Sequence, residues 1–203
     1  LADRVRVLCD DYRDLSGQYD KLVSIEMIEA VGHQYFDTYF QGINRLLKPD
    51  GLALVQAILI EEQSYEHARD SVDFIKRFIF PGGCLPSLGT IARSLGRTAD
   101  LQLSHLEDIG SHYVRTLRAW RDRVDECSDR IQALGYEQPF LRLWHYYLAY
   151  CEGGFTERSI NTVQLLLSRP GSSVEHLAAV PFPATAPEPA LPRGAVGGAE
   201  RWG

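Results

Sequence analysis

The sequence predicts an α/β protein, on three observations. Short apolar segments of strand length alternate with segments whose apolar residues recur every three or four positions. Residues 52–60 form a nearly continuous apolar run, as expected of a strand covered on both faces. Two long amphipathic patterns late in the chain then lead into another run of alternating residues.

The elements follow in order. Residues 5–9, Val-Arg-Val-Leu-Cys, are the first strand candidate, and residues 21–25 are the second, bounded upstream by Ser16 and Gly17. Phe36, Tyr39, Phe40, Ile43, Leu46 and Leu47 recur at helical spacing, and Lys48-Pro49-Asp50-Gly51 supplies turn chemistry that ends this helix. Residues 52–60 are the third strand. The second half reads as mostly helical until its end. Tyr113, Leu117, Trp120, Val124, Cys127 and Ile131 share one face, as do Phe140, Leu143, Trp144, Tyr147, Leu148 and Cys151, with Gly135 between the two helices. Residues 161–168 return to a strand. Six of the ten prolines fall at or after Pro170, among Ala, Gly and Glu. Such a composition buries too little to offset the entropy of ordering, so a folded domain over residues 1–169 and a disordered Pro/Gly/Ala-rich tail over 170–203 are expected.

Composition excludes several classes. With 45% hydrophobic and 24% charged residues the chain is too apolar for general disorder, and a net charge of −6 argues against a broad nucleic-acid surface. No apolar run of transmembrane length and no signal pattern is found, so a soluble, cytoplasmic setting is expected. Cys9, Cys84, Cys127 and Cys151 form no C-x-x-C pair and read as buried or neutral thiols. The six histidines lack ligand spacing, so no metal site is expected. The nucleophile elbow and the glycine-rich phosphate loop are also absent. The chain starts at Leu1 and enters a strand-like run almost at once, as a piece of a longer protein would.

Chemistry in an open α/β sheet sits beyond the carboxyl ends of the strands. After the first candidate come Asp10-Asp11-Tyr12-Arg13-Asp14, which read first as a solvated acidic turn and second as carboxylates for hydroxyl or amine groups with an aromatic for stacking. After the second come Glu26 and Glu29, three apart and on one side of a helical turn, or acids that simply favour the helix dipole. Phe74, Phe78 and Phe80 alternate with Lys76 and Arg77 ahead of Pro81-Gly82-Gly83-Cys84-Leu85-Pro86. That mixture suits a lipid interface, or a helix with a core face and a snorkelling edge.

Several stretches together resemble the carboxyl-terminal half of cyclopropane-fatty-acyl-phospholipid synthases. They are Asp11-Tyr12-Arg13-Asp14-Leu15, residues 19–32 with their Ser24-Ile25-Glu26-Met27-Ile28-Glu29, Leu47-Lys48-Pro49-Asp50-Gly51, Phe78-Ile79-Phe80-Pro81-Gly82-Gly83-Cys84-Leu85-Pro86-Ser87 and residues 147–155. The similarity runs in order from about Arg4 to Arg169. It implies a partial class I methyltransferase sheet, Rossmann-like, lacking its first two strands and carrying inserted helices. In the family's strand order 3-2-1-4-5-7-6, residues 5–9 are strand three, whose partner is strand two, and would stand without a lateral neighbour.

The resemblance also implies an activity: S-adenosylmethionine-dependent addition of a methylene across a cis double bond of a phospholipid acyl chain. A bound bicarbonate is the implied base. Carried onto this chain, its carboxylate neighbour is Glu29, the isoleucine backbone is Ile58 and the tyrosine hydroxyl is Tyr113, with Glu29 and Tyr113 the catalytic pair. The family's histidine position holds Gln56, whose amide donates a hydrogen bond but does not titrate. Asp11 and Tyr12 fall where such enzymes hold the adenine, and Phe78, Phe80, Tyr146 and Tyr147 are walls for the acyl chain or core packing. Phospholipid acyl chains at a membrane surface, reached by peripheral association, are the implied partner; a homodimer stays open. The family's glycine-rich cofactor turn and second-strand acid are not in this sequence. Two alternatives therefore stand beside cyclopropanation: a non-catalytic lipid- or partner-binding fragment, and a methyltransferase giving a methyl-branched product.

Overall fold

The structure, a computed structural model, describes residues 4–173. Its sheet is built from β1 (Tyr19–Ile25), β2 (Leu47–Ile60), β3 (Gln102–Asp108) and β4 (Ile160–Ser168) in the spatial order β1-β2-β4-β3. β1 and β2 are parallel, whereas β4 runs antiparallel to both β2 and β3. This is the 4-5-7-6 half of the methyltransferase order that the sequence implies. Side chains alternate along β2: Ala53, Val55, Ala57 and Leu59 are buried on one face, while Leu54, Gln56, Ile58 and Ile60 are half-buried on the other.

The buried face is covered by α1 (Phe36–Leu46) and α4 (Leu88–Thr98). Phe36, Tyr39, Phe40 and Ile43 on α1 and Ile91 and Leu95 on α4 join the inner residues of β2 and β4 in one core. Sealing each large side chain contributes roughly 1.5–3 kcal/mol, so the i, i+3, i+4, i+7 pattern of α1 is what fixes it there. Ser87 caps α4, its hydroxyl accepting the N–H of Thr90 at 3.2 Å. The short helices α2 (Tyr65–Asp70) and α3 (Phe74–Phe78) lie between β2 and α4 in the chain.

On the other face pack α5 (Gly110–Glu126) and α7 (Gln138–Thr156), with α6 (Ser128–Ala133) between them. Leu117, Leu148 and Phe155 are buried between this helix pair and the sheet. Glu152 of α7 is clamped by two arginines of α5, Arg118 at 2.9 Å and Arg121 at 3.0 Å. Gly135 has φ +93°, the left-handed turn that lets the chain reverse.

Four expectations are corrected. Residues 5–9 are exposed irregular chain rather than a strand, and among the described residues no strand pairs with them or with the outer edge of β1. Without a partner to take its N–H and C=O groups, a β-like sequence leaves them to water. Lys48-Pro49-Asp50-Gly51 does end α1, yet it belongs to β2 as a bulge: Tyr19 opposes Leu47 and Lys21 opposes Leu52. The second half, mostly helical by its sequence pattern, also contains β3. A register shift between Leu103 and His105 breaks its alternation and hides the strand period. The first long helix is two, since the chain breaks at Cys127 between α5 and α6.

Past Arg169 the chain still pairs with the bulge, Gly171 N donating to Pro49 O at 3.2 Å and the Ser172 hydroxyl to Asp50 O at 3.0 Å. The rest of the expected tail lies outside the described residues. Among the described residues no helix is long and apolar enough to cross a membrane.

Candidate active site

The site forms just beyond the carboxyl end of β1, on the half-buried face of β2, where α5 and α7 overhang the sheet. The chain leaves β1 through Glu26, which has φ +50°, an uncommon conformation for a residue with a side chain. A single 3-10 turn over Ile28–Ala30 follows, with Ile28 fully buried. The acidic pair therefore does not ride on one helical turn as the spacing suggests. The left-handed bend and the short turn aim both carboxylates at the same place.

Glu29 Oε1 accepts the backbone N–H of Ile58 at 2.5 Å, while its Oε2 is buried with no partner. Burial pushes the Glu29 carboxyl up to about 7, the Ile58 amide pulling the other way and the nearby charge of Glu26 adding to the rise. Glu26 is the more fully hydrogen-bonded of the two: its Oε1 accepts both the Tyr113 hydroxyl and the Gln56 side-chain amide, the latter at 2.8 Å. Gln56 in turn accepts from the Gln164 amide at 2.9 Å, and the two glutamines are paired across β2 and β4. Tyr113, near the start of α5, stacks on Phe155 of α7 with ring centroids 4.9 Å apart.

The Phe80–Ser87 block explains itself in this setting. Gly82 has φ +84°, and a side chain on Gly83 would press on Phe80 O at 3.1 Å. The block then pins the Glu29 turn, Cys84 N donating to Glu29 O at 2.8 Å, and pins the end of β2, Ile60 N donating to Pro86 O at 3.0 Å. Its role is to hold the carboxylate turn against the strand.

The structure thus brings together Glu29, Gln56, Ile58 and Tyr113. Tyr147 packs against the same Leu117–Leu148–Phe155 cluster as Ile58 and Tyr113, its hydroxyl pushed up to about 12 chiefly by burial. Phe80 meets Tyr147 edge-on at 6.2 Å. Phe78 and Tyr146 lie in an adjoining exposed cluster around Phe74, at 5.7 and 4.6 Å from its ring. Of the basic residues there, Arg77 is exposed, whereas Lys76 is committed to backbone carbonyls of Ala68, Arg69 and Ser71 at the end of α2.

Tyr12 packs edge-on to Tyr39 at 6.1 Å, and the Tyr39 hydroxyl, bonded to Ser24 at 2.7 Å, is pushed up by burial and by the charge of Glu29. Tyr12 is therefore one ring away from the carboxylate site. Asp11 is not drawn in: both its oxygens are held by the Arg13 guanidinium, which brings its carboxyl down to about 2.

Sequence reasoning missed Gln164 and Phe155 altogether and did not assign Glu26 a partner. Gln164 carries a readable signal, a polar residue on an otherwise apolar strand. Its register opposite Gln56 is not legible without the fold. No three His, Cys, Asp or Glu side chains gather as a metal site among the described residues.

Known proteins share this arrangement of chain. The chain is 39% identical over 171 residues to the tuberculostearic acid methyltransferase of Mycobacterium tuberculosis, covering 84% of this chain and 40% of that protein. It is 38% identical over 166 residues to the cyclopropane-fatty-acyl-phospholipid synthase of Escherichia coli, covering 81% of this chain and 41% of the relative. The chain therefore spans about two fifths of the length of these relatives. Among solved structures, the mycolic acid cyclopropane synthase CmaA1 in complex with SAH and CTAB superposes with a TM-score of 0.73 at 26% identity, over 80% of this chain and 60% of that one. Cyclopropane synthase MmaA2 of M. tuberculosis superposes with a TM-score of 0.71 at 24% identity, over 82% and 63%. The model of the mycolic acid cyclopropane synthetase family matches residues 1–165, and the chain belongs to that family of S-adenosylmethionine-dependent lipid methyltransferases and cyclopropane synthases.

Proposed function

We propose that the complete protein carrying this chain alkylates cis-unsaturated acyl chains of phospholipids, with S-adenosylmethionine as the one-carbon donor and cyclopropanation as the outcome. The observation that carries the reading is the gathering of Glu29, Ile58, Gln56 and Tyr113, with Glu26, into one hydrogen-bonded cluster beside buried aromatic side chains. When bound, S-adenosylmethionine supplies an electrophilic methyl on a sulfonium sulfur. Tyr12 fits a role at the adenine, being half-buried beside Tyr39; Asp11 fits it less well, with both oxygens already taken.

This chain's residues then have three tasks. Tyr147 shields the reacting alkene from water, and Phe78, Phe80 and Tyr146 extend the apolar surface toward the lipid. The Glu26 carboxylate favours a cation developing on the acyl chain, since a fixed negative group near developing positive charge stabilises it. Tyr113 lies where it can pass on the proton that the cation loses. Exposed Phe78, Phe80 and Arg77 suit peripheral contact with a membrane surface from the cytoplasmic side.

A bicarbonate base fits poorly. The Ile58 amide is taken by Glu29, and the Tyr113 hydroxyl and Gln56 amide are taken by Glu26, so the donors expected to cradle a free anion are already engaged by carboxylates.

A second reading, a methyl-branched product, is favoured by Gln56, which removes the titrating group expected at that position. Expression of the complete protein in a bacterium without its own cyclopropane synthase separates the readings. Cyclopropyl proton signals in the extracted lipids support ring closure, whereas a methyl branch without them supports the second reading. Product unchanged in a Glu29→Gln variant removes Glu29 from the chemistry.

A further inference from the structure

Within that reading of the site, we propose that Glu26 is the resident anion and proton acceptor, filling from the chain itself the place that a dissolved bicarbonate would take. Three observations carry this. The two side-chain donors of the site, Tyr113 and Gln56, both point at Glu26 Oε1. Gln56 is locked in that orientation by Gln164, which donates to its Oε1 and leaves its NH2 for the carboxylate. Glu26 also adopts φ +50° while its own backbone N–H donates to Gln56 O at 2.9 Å. A side chain held at positive φ is unfavourable unless its surroundings hold it there. Here they do, and the result is a carboxylate delivered under the tyrosine.

The proton step balances without a co-reactant beyond the lipid and its one-carbon donor. After alkylation the cation on the acyl chain loses a proton to the Tyr113 oxygen, and the C–H electron pair becomes the new C–C bond of the ring, or a C=C bond in the branched product. Tyr113 passes its own proton to Glu26 Oε1, leaving a neutral tyrosine and a neutral acid, which returns the proton to solvent before the next turnover. Glu29, held by its amide partner Ile58, stands beside this pair.

The test uses the complete protein with wild type, Glu26→Gly and Glu26→Gln. Glycine suits the positive φ, so the first variant retains the backbone and opens the carboxylate's place; glutamine keeps its volume and removes its charge. Thermal midpoints are measured with bicarbonate against chloride of equal ionic strength, and product formation on vesicles of unsaturated phosphatidylethanolamine in CO2-stripped buffer with and without added bicarbonate. Wild type is expected to gain no midpoint from bicarbonate and to keep its rate when stripped. Glu26→Gly is expected to be stabilised by bicarbonate, to lose roughly a hundredfold in rate when stripped, and to regain rate when bicarbonate is added. Glu26→Gln is expected to lose rate without recovery. A wild-type enzyme that binds bicarbonate or needs it, or a Glu26→Gly variant at full rate in stripped buffer, overturns the proposal. If no vesicle yields a lipid product, the functional reading fails, and the midpoint measurement still decides whether Glu26 fills the anion's place.

Discussion

Glu29 accepts the N–H of Ile58 through one oxygen at 2.5 Å and buries the other without a partner. The turn after β1 is thereby latched to the middle of β2 by a group that resists carrying a charge. A carboxyl with an ordinary value of 4.5 in the open chain and about 7 in the fold binds its proton more tightly when folded. Its contribution is fully present below about pH 4.5 and is lost as pH rises through about 7.

Glu29→Gln should remove that dependence. The amide oxygen still accepts from Ile58, and no charge is buried above neutral pH. We expect the variant to be more stable than wild type at pH 8 by up to roughly 3 kcal/mol, with the difference vanishing near pH 4. Denaturant midpoints across this range check it; parallel curves for the two proteins would contradict it.

Tyr113→Phe keeps the stack on Phe155 and deletes the hydroxyl that donates to Glu26. Gln56 remains as a donor, so the stability cost should stay near 1–2 kcal/mol. Lipid alkylation by the complete protein should fall by about a hundredfold, because the proton route is cut. A rate within twofold of wild type would place the route elsewhere.

The thiols should differ in reactivity. Cys9 is exposed, Cys84 is buried, and Cys151 is pushed up to about 11, mainly by burial. Alkylation at pH 8 followed by mass spectrometry should label Cys9 first and leave Cys84 and Cys151 unlabelled until denaturant is added. Early labelling of Cys84 would mean that the Phe80–Ser87 block opens readily, loosening its hold on Glu29.

The outer edge of β1 is unpaired among the described residues, and Val23 and Ile25 on it are 63% and 53% exposed. An open edge with apolar side chains templates pairing with another chain. The 203-residue polypeptide on its own should therefore self-associate in light scattering, and Val23→Lys should reduce this. Equal association by both would assign it to another surface.

Much of this fold was legible because burial leaves a period in the sequence. Phe36 to Leu47 and the run over 52–60 gave α1 and β2 directly, since one stripe or one face of each is sealed in the core. Where pairing partners decide, the sequence misled: residues 5–9 are β-like in composition but stand unpaired, and β3 hides behind a bulge. The site divides in the same way. Glu29, Gln56, Ile58 and Tyr113 came from resemblance, and the structure gathers them. That Glu26 would receive the tyrosine depended on a left-handed backbone at one residue, which no local pattern announces.

Gln164 has a consequence out of proportion to its distance from the carboxylates. Glu26 Oε1 accepts from the Gln56 amide, so Gln56 turns its NH2 inward, and Gln164 secures that choice from β4. The polarity of the centre is thus written by a residue more than a hundred positions downstream. A chain shortened before β4 would lose the rudder of its chemistry along with a sheet partner.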